Sequence, residues 1–362
     1  MLDMGYGVEY LVQSPLILLL ILFAVSHPLY VHFFRRIAPE IASGSIVMAL
    51  GIVALACLPQ FHFSSFTMLV VAMEVIIIWF YLAVKLVQSG IQGELRVDHA
   101  SDRIGMGTWV AGTSTTAILL DHAEQTLHGF IVFLGIIALV LYLIYFIFIS
   151  QWFVLCIKKK FHLPVNGMVL LATVSTQSIV LLLVELFRDD IPTMVYFILI
   201  LMGLIFYFVG AICILRHFFQ DHRQHLLAGW SNSNVINHGA LSITGLAMLN
   251  SKAFSEWMIV AVWWGAAIFF LIIELLESGR FLVRIRMRGI RSGVFVYHTS
   301  QWTRVFTFGM LYAFTLTYYS LGYPSNLIVE IIANYGQYFV ACLACVQVIV
   351  AMFYVLKQER KP

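Results

Sequence analysis

The sequence predicts an all-α integral membrane protein of eleven spans, in which polar and greasy helices alternate as inner and outer members of successive hairpins. Three observations carry that reading. With 61% hydrophobic and 11% charged residues, the chain cannot be an ordinary soluble domain. Its charges cluster between apolar runs of roughly 17–25 residues, the length an α-helix needs to cross a bilayer. Five of those runs are seeded with Gly, Ser, Thr, Asn or Gln, and they alternate with runs that are almost purely apolar. Polar and small groups are costly against lipid, so the seeded helices belong in a bundle interior or around an aqueous path.

The spans fall at about 11–33, 44–60, 65–88, 105–121, 129–156, 167–186, 192–218, 236–250, 254–279, 300–320 and 328–356. The first is preceded by Asp3 and Glu9 and followed by Arg35 and Arg36, so it reads as a retained helix and not as a signal peptide. The second carries Ser43, Gly44, Ser45 and Gly51 before a plain aliphatic stretch. The third holds Glu74 near its middle, a position that points either to a proton relay or to a buried structural pair.

In the fourth span Thr108, Gly112, Thr115 and Thr116 recur at helical spacings on one face, which taken alone fits tight helix packing first and a pore wall second. The fifth, through Phe130 to Ile149, is greasy. The sixth places Thr173 and Thr176 on one face, Ser175 and Ser178 on the next, with Gln177 between, and hydroxyls there can bond back to carbonyls. The seventh, Met194 to Leu215, lacks Ser and Thr. In the short eighth, His238, Ser242 and Gly245 line up. The ninth is Trp- and Ile-rich, with Glu274 and Glu277 placed to pair with nearby arginines. The tenth sets Phe308, Tyr312, Thr315 and Tyr319 on one stripe beside Gly309; Phe308 there is either a plug in a narrow path or a core filler. The eleventh is greasy again, from Tyr338 to Val355.

Charge placement supports eleven spans with the N-terminus outside. Alternate loops gather Arg35, Arg36, Lys85, Arg96, Arg103, Lys158 to Lys160, Arg216, Arg223, the arginines from Arg280 to Arg291, and the tail Lys357, Arg360 and Lys361. The opposite side holds only Arg188 and Lys252, as the positive-inside rule predicts for an N-out, C-in protein of the cell inner (plasma) membrane. The basic face would meet anionic lipid head groups or gather anions at a pore mouth. The five cysteines sit in or beside apolar helices, and the twelve histidines show no ligand spacing, so no disulfide framework, metal site or cofactor is expected.

The polar segments Gly105-Met106-Gly107-Thr108-Trp109-Val110-Ala111-Gly112-Thr113-Ser114, Val174-Ser175-Thr176-Gln177-Ser178 and Ile236-Asn237-His238-Gly239-Ala240-Leu241-Ser242-Ile243-Thr244 resemble the tellurite-resistance/dicarboxylate transporter family. That family includes the plant slow anion channels, bacterial TehA-type channels and yeast malic acid permeases. Ser43 to Ile52 looks like its first core helix and Val305-Phe306-Thr307-Phe308-Gly309-Met310 like its ninth. The resemblance covers roughly residues 38–356. It implies a ten-helix core of five helical hairpins around a central pore, a homotrimer with one pore per protomer, and a phenylalanine gate, for which Phe308 is the matching position. Residues 1–37 then form an extra N-terminal transmembrane helix and 357–362 a cytoplasmic tail. The chain departs from the family in bending its pore helices at Gly where members often use Pro.

On this reading the wall of the path is Gly51, Thr108, Gly112, Thr115, Thr116, Thr173, Ser175, Thr176, Gln177, His238, Ser242, Gly245, Tyr312 and Thr315, with Phe308 and Gly309 as the gate. No polar helix has Asp or Glu in its middle, so the path suits an anion better than a cation. The leading expectation is therefore a gated channel for small anions, with membrane lipid as the other partner and no nucleic acid. The alternative is a proton-coupled secondary transporter of a dicarboxylate or other weak-acid or oxyanion, with Glu74 or His238 as the titratable group. An embedded enzyme lacks a recognisable nucleophile, and a structural or receptor role leaves the alternation unexplained.

Overall fold

The computed structural model describes residues 15–34, 40–95, 103–159, 166–187, 190–220, 231–293 and 297–359. Arg35, Arg36, Arg96, Lys160, Arg188, Arg223, Arg360 and Lys361, part of the charge pattern above, lie outside them. The described residues hold eleven α-helices, joined in places by short 3-10 turns, and no strand. They are α1 (Pro15–Phe34), α2 (Gly44–Cys57), α3 (Ser65–Ile91), α4 (Gly107–Ala123), α5 (His128–Lys158), α6 (Leu171–Phe187), α7 (Thr193–Gln220), α8 (Ile236–Ser251), α9 (Glu256–Gly293), α10 (Ser300–Ser320) and α11 (Leu327–Glu359). The ninth is interrupted at Gly289, where φ is +71°.

Eight of these segments are long and apolar enough to cross a membrane, which makes the chain a multi-pass, all-helical membrane protein. The other three, α4, α8 and α10, fall short for a physical reason. They are polar on several faces, and α4 and α8 are only 17 and 16 residues long. Most side chains in them are buried, so hydrocarbon-matching composition is not required of them.

The helices sort by contact. α2 packs on α4, α4 on α6, α6 on α8, α8 on α10, and α10 returns to α2, closing a ring. Outside it, α3, α5, α7, α9 and α11 each lie against the ring helix that precedes them in sequence. Every seam of the ring is drawn tight by a glycine. A Cβ on Gly44 would stand 2.8 Å from the Thr108 backbone, and one on Gly107 2.7 Å from Ser175 Oγ. One on Gly167 would meet the Ser233 carbonyl at 2.1 Å, one on Gly245 the Phe314 ring at 2.1 Å, and one on Gly309 Ile52 at 2.8 Å. Lipid offers no hydrophobic drive for helix association, so close backbone approach and interhelical hydrogen bonds take its place.

Near the N-terminal end of α10 an ionic cluster adds to this packing. Arg304 pairs with Glu274 and lies 3.7 Å from Glu277, while Arg280 reaches Asn232 at 2.6 Å and Glu277 at 3.4 Å. It ties α9 to α10 and to the turn before α8. The helix α1 stands apart from the ring and docks on α3.

Candidate functional site

The five ring helices share one cavity of about 210 Å³. It lies toward their C-terminal ends, where Ala56, His122, Glu185, Asn250 and Thr317 sit in the last turns of α2, α4, α6, α8 and α10. Deeper in, Ile52 and Leu55, Ile118, Leu181, Ile243 and Leu246, and Met310 and Ala313 form an apolar wall broken by Ser114, Thr115 and Ser178. The hydroxyls of Ser114, Thr115, Ser178 and Thr317 each donate to the carbonyl one turn back, at 2.7–2.9 Å. At the mouth His122 Nε2 lies 2.9 Å from Glu185 Oε1.

One helical turn further toward the N-termini, the register of each helix brings Met48, Ala111, Val174, Gly239 and Phe306 beneath the lining residues. Met48, Ala111 and Val174 have no exposed surface and Phe306 has 1%. By register this apolar layer lies one turn below the cavity.

Of the residues expected to line a path, only Thr115 reaches the cavity wall. The others are placed elsewhere, and the reason is consistent. Thr173 donates to Gly203 O and the Gln177 amide to Ile200 O, both on α7. Thr176 accepts from Tyr142 on α5, and Thr315 accepts from the Trp263 indole on α9. Tyr312 presses its ring on Gly336 of α11. These side chains bind ring helices to their outer partners. Ser175 bonds Gly107 O across the α4–α6 seam, Gly112 sits under Gly44 O, Gly51 against Thr115, and Gly245 against Phe314. Thr116 and Ser242 bond back within their own helices, and Thr108 donates to Gly105 O in the turn before α4.

At the expected gate, three consecutive residues face three different ways. Thr307 abuts Gly239 of α8 and Gly309 abuts Ile52 of α2, so these two mark the flanks of α10 within the ring. Phe308 points away from the axis: its ring centroid lies 5.1 Å from that of Phe270 on α9 and 5.3 Å from that of Phe339 on α11. Phe306 is buried and falls by helical register on the face that carries the cavity-lining Met310, Ala313 and Thr317. The aromatic stripe through Phe308, Tyr312 and Thr315 is the outer seam of α10.

Neither titratable candidate lies on the cavity wall. Glu74 accepts hydroxyl bonds from Ser26 at 2.7 Å and Tyr30 at 2.6 Å, both on α1. The same docking face adds a His27–Tyr81 contact, a Lys85 bond to Phe34 O and stacking of Phe23 on Tyr81. His238 is fully buried between Phe270 and Phe308, edge-on to both. Among the described residues no group of three metal-ligating side chains occurs.

Composition alone could not single out Ser114, Ser178, Asn250, His122, Glu185 and Phe306. A signal existed in register: 114, 118 and 122, 178, 181 and 185, and 306, 310, 313 and 317 are rows on one helix face. No protein-family model matches the chain, and no curated protein is significantly similar to it.

Proposed function

We propose that the chain is a passive conduit for small anions, running along the axis of the helix ring and shut by the apolar floor around Phe306. One observation carries the reading: all five polar helices contribute to a single cavity. Packing accounts for polar residues between any two helices, as it does for Thr315 and Trp263. It gives no reason for five such helices to close around a solvent-sized space. On this reading α2 to α11 are five hairpins with an inner and an outer member each, and α1 is an addition to that core. The likeness to the tellurite-resistance/dicarboxylate transporter family belongs to the proposal and rests on the sequence motifs, as do a homotrimer and a place in the cell membrane. With the orientation implied by the basic residues, the cavity opens outward.

A passive path is preferred over proton-coupled transport because Glu74 and His238 lie off the cavity. An apolar constriction holds back ions by excluding water, and a side chain removed from it lowers that barrier.

The test is nitrate flux into liposomes carrying the purified protein. Phe306→Ala should raise flux about tenfold, the equivalent of about 1.4 kcal/mol of barrier. Phe308→Ala should leave flux unchanged and lower thermal stability. Unaltered flux in well-folded Phe306→Ala protein rejects the floor as the barrier. No protein-dependent flux of nitrate or chloride in either form rejects the conduit.

A further inference from the structure

A second cavity, of about 290 Å³, lies between α9 and α10 at the arginine-bearing end of α9. Glu277, Ser278, Phe281, Leu282 and Arg284 of α9 line it, with Arg304 of α10 opposite. Its depth in the bilayer follows from the length of α9. From Glu256 to Met287 that helix has 32 residues, a rise of about 48 Å, whereas bilayer hydrocarbon is about 30 Å thick. The exposed Trp257, beside the charged Glu256, marks where α9 enters, since indole rings favour the head-group level. A crossing of about 20 residues from there ends near Leu276. Glu277 to Arg284 therefore stand at the level of the opposite head groups.

The cavity sorts its charges by depth. The Glu277 side chain is 3% exposed and that of Glu274, which pairs with Arg304, 22%, while 30% of the Arg304 side chain stays open. Arg304 has five N–H donors and two carboxylate neighbours. Ser278 adds a hydroxyl at the rim, and Phe281 and Leu282 set exposed apolar surface beside the guanidinium groups. The sequence concentrates basic residues here as well: five arginines fall from Arg280 to Arg291, and no carboxylate occurs between Glu277 and Glu330. Arginines above an apolar ledge at head-group depth match a phosphodiester whose acyl chains continue down the helices.

We propose that this cavity binds the phosphate of an anionic phospholipid, which clasps α9 to α10. The phosphate takes donors from Arg284 and Arg304, and the acyl chains lie against Phe281 and Leu282. A zwitterionic lipid carries its own cation beside the phosphate, so the site selects by the net charge of the head group. This site is independent of the conduit reading.

The test is native mass spectrometry of the full chain, released from detergent holding equal amounts of phosphatidylglycerol and phosphatidylcholine with the same acyl chains. The wild type should retain phosphatidylglycerol roughly twentyfold over phosphatidylcholine, and Arg284→Gln should cut that preference about fivefold, the weight of one arginine near anionic lipid. Arg284→Lys should keep most of it. Leu282→Glu changes an exposed position, should cut the preference at least as far, and decides the question if Arg284→Gln melts below the wild type. Lys252→Gln, at the far end of α8, should change nothing. An excess of inorganic phosphate should leave the lipid in place, because the free ion lacks the acyl burial. Equal retention of the two lipids by the wild type, displacement by inorganic phosphate, or a matching loss in Lys252→Gln overturns the site. So does an undiminished preference in folded Leu282→Glu protein.

Discussion

The ring and the layer around it solve the same problem, burial of a helix in a membrane, by opposite means. In the ring, 67% of the α2 span and 83% of the α6 span are buried, against 22% to 39% for α3, α5, α7, α9 and α11. The outer helices meet lipid, so they are built from Leu, Ile, Val and Phe and tolerate change on the exposed face. The ring helices meet mostly protein. Their glycines set seam distance, and their hydroxyls and amides, as at Thr173, Thr176, Gln177 and Thr315, fasten the outer layer. A polar residue in this bundle is therefore first a joint, and only the subset on the axial face concerns a solute.

The contrast is broken most severely at a seam. Gly245→Leu would drive a side chain into the Phe314 ring, which stands 2.1 Å from the position of a Cβ, and should cost about 3 kcal/mol or more. Gly129→Leu on α5, with nothing within 4 Å of that position, should leave detergent melting unchanged. Equal losses in the two proteins would erase the distinction between ring and layer.

Next in size is the ionic cluster. Glu277 is only 3% exposed, and Glu277→Ala leaves Arg280 and Arg304 without their shared carboxylate, a loss of about 3 kcal/mol in unfolding experiments. The smallest effect belongs to a single joint. A double-mutant cycle between Trp263→Phe and Thr315→Val should return about 0.6 kcal/mol of coupling, the ordinary strength of one interhelical hydrogen bond in a membrane. Zero coupling would mean that Thr315 serves its own helix alone, through its bond to Leu311 O.

The all-helical membrane class was legible in the sequence because hydropathy reports directly on contact with lipid. The alternation of polar and greasy helices was legible for the same reason, since a span that can carry Thr173, Ser175 and Gln177 is not facing hydrocarbon. What could not be read was the direction of each side chain. In Thr307-Phe308-Gly309 one residue faces α8, one faces the outer helices and one faces α2, and no property of threonine, phenylalanine or glycine distinguishes those surroundings. Glu74 shows the same limit from another side. A carboxylate in mid-span signals a partner, but its partners Ser26 and Tyr30 belong to an otherwise greasy helix that gave no sign of being the docking element.

The seam between α10 and α2 has a consequence in time. Ser45 reaches the carbonyl of Thr299 across 254 positions of chain, so the ring stays open while all the helices between them are synthesised and inserted. During that interval the face of α2 destined for α10, including Ile52 where Gly309 later seats, has no permanent neighbour. Contacts closed over so long a stretch form late, and the unfinished edge is the place where nascent chains are most exposed to wrong partners. The order of birth of the helices thus makes α10 the keystone, and a chain interrupted before it would carry four-fifths of a ring with its wall unsealed.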